Sequence, residues 1–329
     1  MRPDLSGRIF QIKDQISFQE LALEIFNYQF DNNPVYSEFV KRLGIKRNSV
    51  LAVRQIPFIP VGLFKTQIIV TGSQPARLAF ESSGTTGLST SKHLVVDPGL
   101  YEESLLKTFR LFYGEPSDYF IAALVPSGRE RNNSSLAFMV DKLISESSNT
   151  LSGFYLNNKG ELISNINLGR SVNRKVILIG LSYALTNLAE EYSPDLSDLI
   201  VMETGGMKGR RKEMTREELH SFLKNKFNLT SIHSEYGMTE LLSQAYSQGE
   251  GIFHCPPWMK ILIRDPQDPL TLTTEPGIAG GINIIDLANL YSCSFIATED
   301  SGRLHEDGGF EVLGRLDNTD IRGCNLMVE

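Results

Sequence analysis

The stretch Glu81-Ser-Ser-Gly-Thr-Thr-Gly-Leu-Ser-Thr-Ser-Lys92 holds almost no large side chain, and its residue types suit the handling of an anion. Gly84 and Gly87 let the backbone turn sharply and approach a ligand. Ser82, Ser83, Thr85 and Thr86 add hydroxyls, and Lys92 adds a positive charge. Backbone N–H groups and hydroxyls of this kind can surround the oxygens of a polyphosphate while a lysine offsets its charge. The Gly-Lys-Ser/Thr ending of a Walker loop is missing, so the composition by itself also suits a flexible turn.

Two further segments carry side chains of the same kind of use. Ile232-His-Ser-Glu-Tyr-Gly-Met-Thr-Glu240 offers a ring to stack on a base, a flexible Gly237, a hydroxyl at Thr239 and a hard oxygen donor for Mg²⁺ at Glu240. A buried tyrosine at a strand end, followed by a Thr-Glu helix start, accounts for the same residues. Ala297-Thr-Glu-Asp-Ser-Gly302 and Gly314-Arg-Leu-Asp-Asn318 could bind vicinal ribose hydroxyls through Asp300 and reach the sugar or a phosphate through Arg315. Two ordinary acidic turns are the plainer reading. His233 fits a hydrogen-bonded structural role better than a pocket role, and Arg129 and Arg131 fit a solvated loop.

These segments need a scaffold, and the rest of the chain describes one. Short apolar runs at 119–126, 175–180 and 199–203 alternate with helical patterns at 135–144, 182–191 and 215–227. That alternation predicts a layered α/β fold with a parallel-rich sheet buried on both faces. Residues 17–44 and 99–113 read as helical, and 77–80 and 94–98 as strands around the Ser/Thr/Gly loop. Residues 259–313 read as a smaller β-rich unit, which divides the chain into 1–258 and 259–329. The 329 residues carry a net charge of −7, which argues against a general nucleic-acid surface. Three widely spaced cysteines match neither a disulfide framework nor a zinc pattern, and Cys255 and Cys293 read as core or pocket residues. No apolar run is long enough to span a bilayer, so the expected setting is cytoplasmic.

The order of the three segments resembles the adenylate-forming superfamily of acyl-CoA synthetases, luciferases and peptide-synthetase adenylation domains. Its length and its ending after Gly-Arg-Leu-Asp look like the short acyl-protein synthetases linked to bacterial bioluminescence. The resemblance covers roughly residues 75–329. It implies the fold of the large N-terminal domain of such enzymes, with their mobile C-terminal domain and its assisting lysine absent. It implies ATP and Mg²⁺ as cofactors and a carboxylic, fatty acid as substrate. Ser82, Ser83, Gly84, Thr85, Thr86 and Gly87 would then hold the β- and γ-phosphates. Gly205 and Gly206 would lie along the adenine, Tyr236 with Gly237 would stack on it, and Thr239 would contact the α-phosphate. Glu240 would hold Mg²⁺, Asp300 the ribose and Arg315 the same sugar.

Departures from the family pattern accompany these assignments. Lys92 stands two positions later than the usual lysine, and Glu299 replaces the usual glycine before Asp300. Asp317 falls where the family's interdomain hinge begins. In the acyl-protein synthetases the acyl group passes to a cysteine near the C-terminus, a description that Arg322-Gly-Cys324 fits. A thiolate beside Arg322 would be a competent nucleophile, and a buried, inert cysteine is the competing reading. The final acceptor stays open among a protein, CoA and an amine. Acyl transfer without adenylation, and nucleotide binding without catalysis, are the alternative activities.

Overall fold

The computed structural model describes residues 4–82, 90–128, 130, 133–205 and 214–316. Among them the chain forms two compact units, each discontinuous in sequence. One comprises residues 1–101, 240–243 and 254–329, and the other residues 102–239 and 244–253. This division differs from the expected one at residue 258, and the packing of the N-terminal helices explains the difference.

The first unit opens with α1 (Leu5–Ile9), α2 (Gln15–Asn32) and α3 (Pro34–Arg42). Asp14 caps α2 in a capping box with Ser17, and Asn33 both ends α2 and caps α3, with Pro34 at its first position. These helices pack against the later, antiparallel part of their own unit. Gln29 Nε2 donates to the carbonyls of Asn289 and Leu290 at 3.1 and 2.9 Å, and Tyr36 stacks on Phe295 with centroids 5.9 Å apart. The short β1 (Ile59–Pro60) then runs parallel to β14 (Phe295–Leu304). The antiparallel pair β2 (Leu78–Glu81) and β3 (Lys92–Val95) flanks the Ser/Thr/Gly loop, with Glu81 opposite Lys92.

Helix α4 (Pro98–Tyr113) leads into the second unit, where the expected alternation is found. Its sheet has the order β5 (Gly153–Phe154), β4 (Tyr119–Leu124), β6 (Lys175–Leu181), β7 (Ile200–Thr204), β8 (His233–Tyr236) and β9 (Ala245–Ser247). All neighbours are parallel except β8 and β9. Strand β4 is buried at every residue and β6 at all but the first, as continuous apolar runs require. The connecting helices are α5 (Ser135–Ser147), α6 (Lys159–Ser171), α7 (Ser182–Glu191) and α8 (Arg216–Phe227). Thr215 caps α8 in a capping box with Glu218, and Asn228 closes it in the left-handed conformation. The short β10 (Ile252–Phe253) ends this unit's chain.

The first unit resumes as an antiparallel sheet of order β15 (Phe310–Arg315), β14, β13 (Ala279–Asp286), β11 (Met259–Arg264) and β12 (Leu272–Thr273). The acidic segment 297–302, expected as a turn, lies inside β14 instead. Ser301 pairs with both β13 and β15 and Asp300 with β15, while Thr298 and Glu299 fall at a bulge against β13, where the Leu316 N–H donates to the Glu299 carbonyl at 2.8 Å. Likewise no helix follows Tyr236, because residues 239–240 form a turn before β9.

Candidate functional site

In the first unit, Ser82 sits at the root of the loop, exchanging hydrogen bonds with Ser91 at 3.1 and 2.9 Å. Ser83, Gly84, Thr85, Thr86 and Gly87 lie outside the described residues. Lys92 pairs with Glu81 at 3.2 Å across the β2–β3 hairpin. Glu240 is buried, and its backbone carbonyl accepts from Asn289 Nδ2 at 2.8 Å, while Asn289 Oδ1 meets His93 Nε2 at 3.0 Å. Burial raises the Glu240 carboxyl above the ordinary range. A hydrogen bond with Ser91 and the charge of Lys65 oppose that rise, and Glu299 adds to it.

Lys65 belongs to a short turn after β1, and its Nζ lies 3.9 Å from Glu299 Oε1. The parallel pairing of Ile59 with Ile296 and Pro60 with Ala297 holds this turn beside the polar part of β14. Asp300 and Arg315 stand directly opposite each other on β14 and β15. The Asp300 N–H donates to Thr298 Oγ1 at 3.1 Å, and the Arg315 side chain, 79% exposed, reaches only to 4.0 Å from Glu299. This unit therefore gathers Glu240, Glu299, Lys65 and Ser91, and on neighbouring strands Asp300 and Arg315. Sequence reading missed Lys65, which follows no recognisable spacing. Asp317 and Cys324 lie outside the described residues.

In the second unit the candidate residues stand at the C-terminal ends of the strands, the end of a parallel sheet at which ligands are commonly bound. Gly205 follows β7 with φ +62° and accepts a hydrogen bond from Ser182 Oγ at 2.5 Å through its carbonyl. Gly206 lies outside the described residues. Tyr236 ends β8 as a buried ring against Phe253, with centroids 5.9 Å apart. At Gly237 a Cβ would stand 2.4 Å from Glu235 Oε1, so a side chain there would displace the Glu235 carboxyl. Thr239 is half-buried in the following turn.

Two acids in this unit were not singled out from sequence. Burial pushes Glu235 up to about 7, against a hydrogen bond from Thr204 at 2.5 Å and with the charge of Glu203 adding to the rise. Burial acts the same way on Glu203, but a hydrogen bond from His220 and the Arg216 charge outweigh it and hold that carboxyl below the ordinary range. His233 is structural as expected, its Nδ1 meeting Tyr113 Oη at 3.1 Å. Cys293 is fully buried and its thiol is pushed up to about 12, while burial also raises Cys255, so neither is a ready nucleophile.

Among the described residues, no group of three or more His, Cys, Asp or Glu side chains could hold a metal unaided. Mg²⁺ in nucleotide sites is held by one or two carboxylates together with phosphates and waters, and Glu240 with Glu299 nearby fits that donor set. No helix among the described residues is long and apolar enough to cross a membrane.

No protein-family model matches the sequence, and no curated protein matches it. Solved structures do match in fold. ATP-bound MatB from Rhodopseudomonas palustris superposes with a TM-score of 0.55 at 14% identity, over 72% of this chain and 47% of that one. The amide bond synthetase McbA from Marinactinospora thermotolerans gives 0.51 at 16% identity, over 75% and 50%. A luciferase-like enzyme from the mealworm Zophobas morio gives 0.51 at 14%, over 75% and 59%. The chain thus has the α/β fold of the adenylate-forming enzymes and spans about half the length of the first structures it matches.

Proposed function

We propose that this chain binds Mg·ATP and activates a carboxylic acid as an acyl-adenylate. The observation that supports it most is the seating of the motif residues. Glu240 is a buried carboxylate, Asp300 and Arg315 face each other across two strands, and Gly205 and Tyr236 occupy strand ends of a parallel sheet. The fold is one that an ATP-bound relative in structure also adopts.

In this reading Glu240 would hold Mg²⁺, which supplies charge neutralisation on the phosphates. Ser82, Ser83, Gly84, Thr85, Thr86 and Gly87 hold the β- and γ-phosphates, and Thr239 the α-phosphate. Gly205, Gly206, Tyr236 and Gly237 receive the adenine, and Asp300 and Arg315 the ribose. The substrate carboxylate attacks the α-phosphorus, the bond to the β-phosphate oxygen breaks, and pyrophosphate leaves. Developing negative charge would be met by the loop donors and by the Mg²⁺ that Glu240 would hold. The acid is a fatty acid in the reading drawn from resemblance, and the acyl group passes to a thiol, with Cys324 the candidate and a protein, CoA or an amine downstream.

Carboxylate-dependent exchange of pyrophosphate into ATP tests the core of this reading. Exchange with at least one of a set of fatty, aryl and amino acids is expected. Its absence with all of them, alongside normal Mg·ATP binding, would favour a non-catalytic nucleotide-binding role, a reading that the engagement of Lys92 with Glu81 supports. Cys324→Ser addresses the transfer step: adenylation is expected to persist while labelled acyl-enzyme disappears.

A further inference from the structure

Behind the strand ends of the second unit lies a chain of contacts that the proposed nucleotide chemistry does not use. It begins at Glu203, a buried carboxylate one residue before Thr204-Gly205. Arg216 Nε lies 3.5 Å from Glu203 Oε1, and His220 Nε2 lies 3.7 Å from the same oxygen. The Arg216 guanidinium covers the Phe253 ring at 5.0 Å, and Phe253, fully buried, meets Tyr236 at 61°. The stem of Arg216 passes Gly251, where a Cβ would stand 2.9 Å from Arg216 Cδ, and φ is +72° there. On its other oxygen Glu203 has Ser182 Oγ at 3.3 Å, the hydroxyl that donates to the Gly205 carbonyl.

One carboxylate therefore connects to both the Gly205 turn and the Tyr236 ring. A buried ion pair contributes little to stability beyond what apolar side chains of similar volume would give. It does fix geometry, because an arginine over an aromatic face prefers a limited set of positions and an edge-to-face ring pair is directional.

We propose that Arg216, anchored by Glu203, is a positioning residue for the nucleotide base, setting Tyr236 through Phe253 while Ser182 sets the Gly205 turn. The proposal rests on the ATP reading above. It places no new group in contact with the nucleotide, and its signature is a loss confined to the base.

The test compares binding of Mg·ATP with binding of Mg·tripolyphosphate, which keeps the phosphates and lacks the base, by calorimetry and displacement. In Arg216→Met the affinity for Mg·ATP is expected to fall about tenfold while that for Mg·tripolyphosphate is unchanged, with Arg216→Lys recovering part of the loss. Equal affinities in variant and wild type, or parallel loss of both ligands, overturns the positioning role and leaves the ATP reading intact. A wild-type chain that binds no Mg·ATP overturns the ATP reading, and this proposal with it. Should Arg216→Met fail to fold, Ser182→Ala carries the same comparison on the Gly205 side, with the same expected and overturning results.

Discussion

In the parallel sheet the strands β4 and β6 are apolar along almost their whole length, and the polar groups gather at the C-terminal ends of β7 and β8. In the antiparallel sheet the long strand β14 carries Thr298, Glu299, Asp300 and Ser301 in its middle. The first arrangement separates packing from polar side chains, with a buried slab for stability and polar groups at its edge. The second puts both on one strand, so that chemistry-bearing residues inherit the constraints of a ladder. Close packing between strands replaces bulk, as its glycines show. At Gly302 a Cβ would stand 2.4 Å from the Glu311 carbonyl oxygen and 2.7 Å from Ile282.

That contrast gives the largest expected effect. Gly302→Ala drives a methyl into backbone, which cannot yield without separating β14 from β15, and should cost about 3 kcal/mol or more. Gly180→Ala, in β6, meets side chains and no backbone, Leu185 Cγ at 2.8 Å and Leu124 Cβ at 3.2 Å, and should cost less, about 1–2 kcal/mol. Urea midpoints measure both. Equal costs would show that the antiparallel sheet is no less tolerant than the parallel one.

The same contrast decides what can be read before folding. Continuous apolar runs announced β4, β6 and β7, and α7 was expected at the bounds it has, because nothing in those segments competes with the pattern. Strand β14 was not visible: its run from Thr298 to Ser301 interrupts the alternation and imitates a turn, and it falls at a bulge against β13 between segments that are paired. Helix α6 went unread because Gly160, Gly169, Asn165 and Asn167 leave only Leu162 and Ile166 as deeply buried apolar anchors. Tyr236, Glu240, Asp300 and Arg315 were marked out as candidates by residue type and order. The contacts of Lys65 with Glu299 in the first unit, and of Glu203 with Arg216 in the second, were not, since the latter joins a strand end to a helix and the former a turn to a distant strand, without any sequence spacing to mark them.

The acids sharpen the comparison next. Glu240, buried in the first unit, should be the most sensitive side chain for activity: Glu240→Gln keeps the shape and removes the charge, and exchange activity should fall roughly a hundredfold. An exchange rate within a factor of about three of wild type would remove Glu240 from the metal role. Glu235 in the second unit should instead matter for stability. Its carboxyl sits at about 7 when folded against 4.5 as the unperturbed value. The folded chain thus holds the proton more tightly, so this group's contribution is complete below pH 4.5 and is lost as pH rises toward 7. Glu203, held below the ordinary range, works in the opposite sense and loses its contribution as pH falls below that value. Glu235→Gln should abolish the decline between pH 4.5 and 7 and gain on the order of 2 kcal/mol at pH 8. Melting temperatures measured across pH check it, and a slope unchanged by the substitution would show that Glu235 is ionised without cost.

The smallest effect falls on the pair that joins the two uses of β14. Asp300 and Arg315 are cross-strand neighbours, and an exposed pair of opposite charges in that register contributes about 0.2–1 kcal/mol to a sheet. Arg315 is largely in solvent, so Arg315→Ala should change stability by less than about 0.5 kcal/mol. If the pair serves the ribose, the loss appears in binding instead: Mg·ATP affinity should fall about tenfold in Asp300→Asn, where a hydrogen bond to a charged acceptor is replaced, and about threefold in Arg315→Ala. Calorimetry against chemical denaturation separates the two outcomes. Variants that lose stability and keep their affinity would make Asp300 and Arg315 a strand pair and nothing more, and β14 would then position the site through Glu299 and its backbone alone.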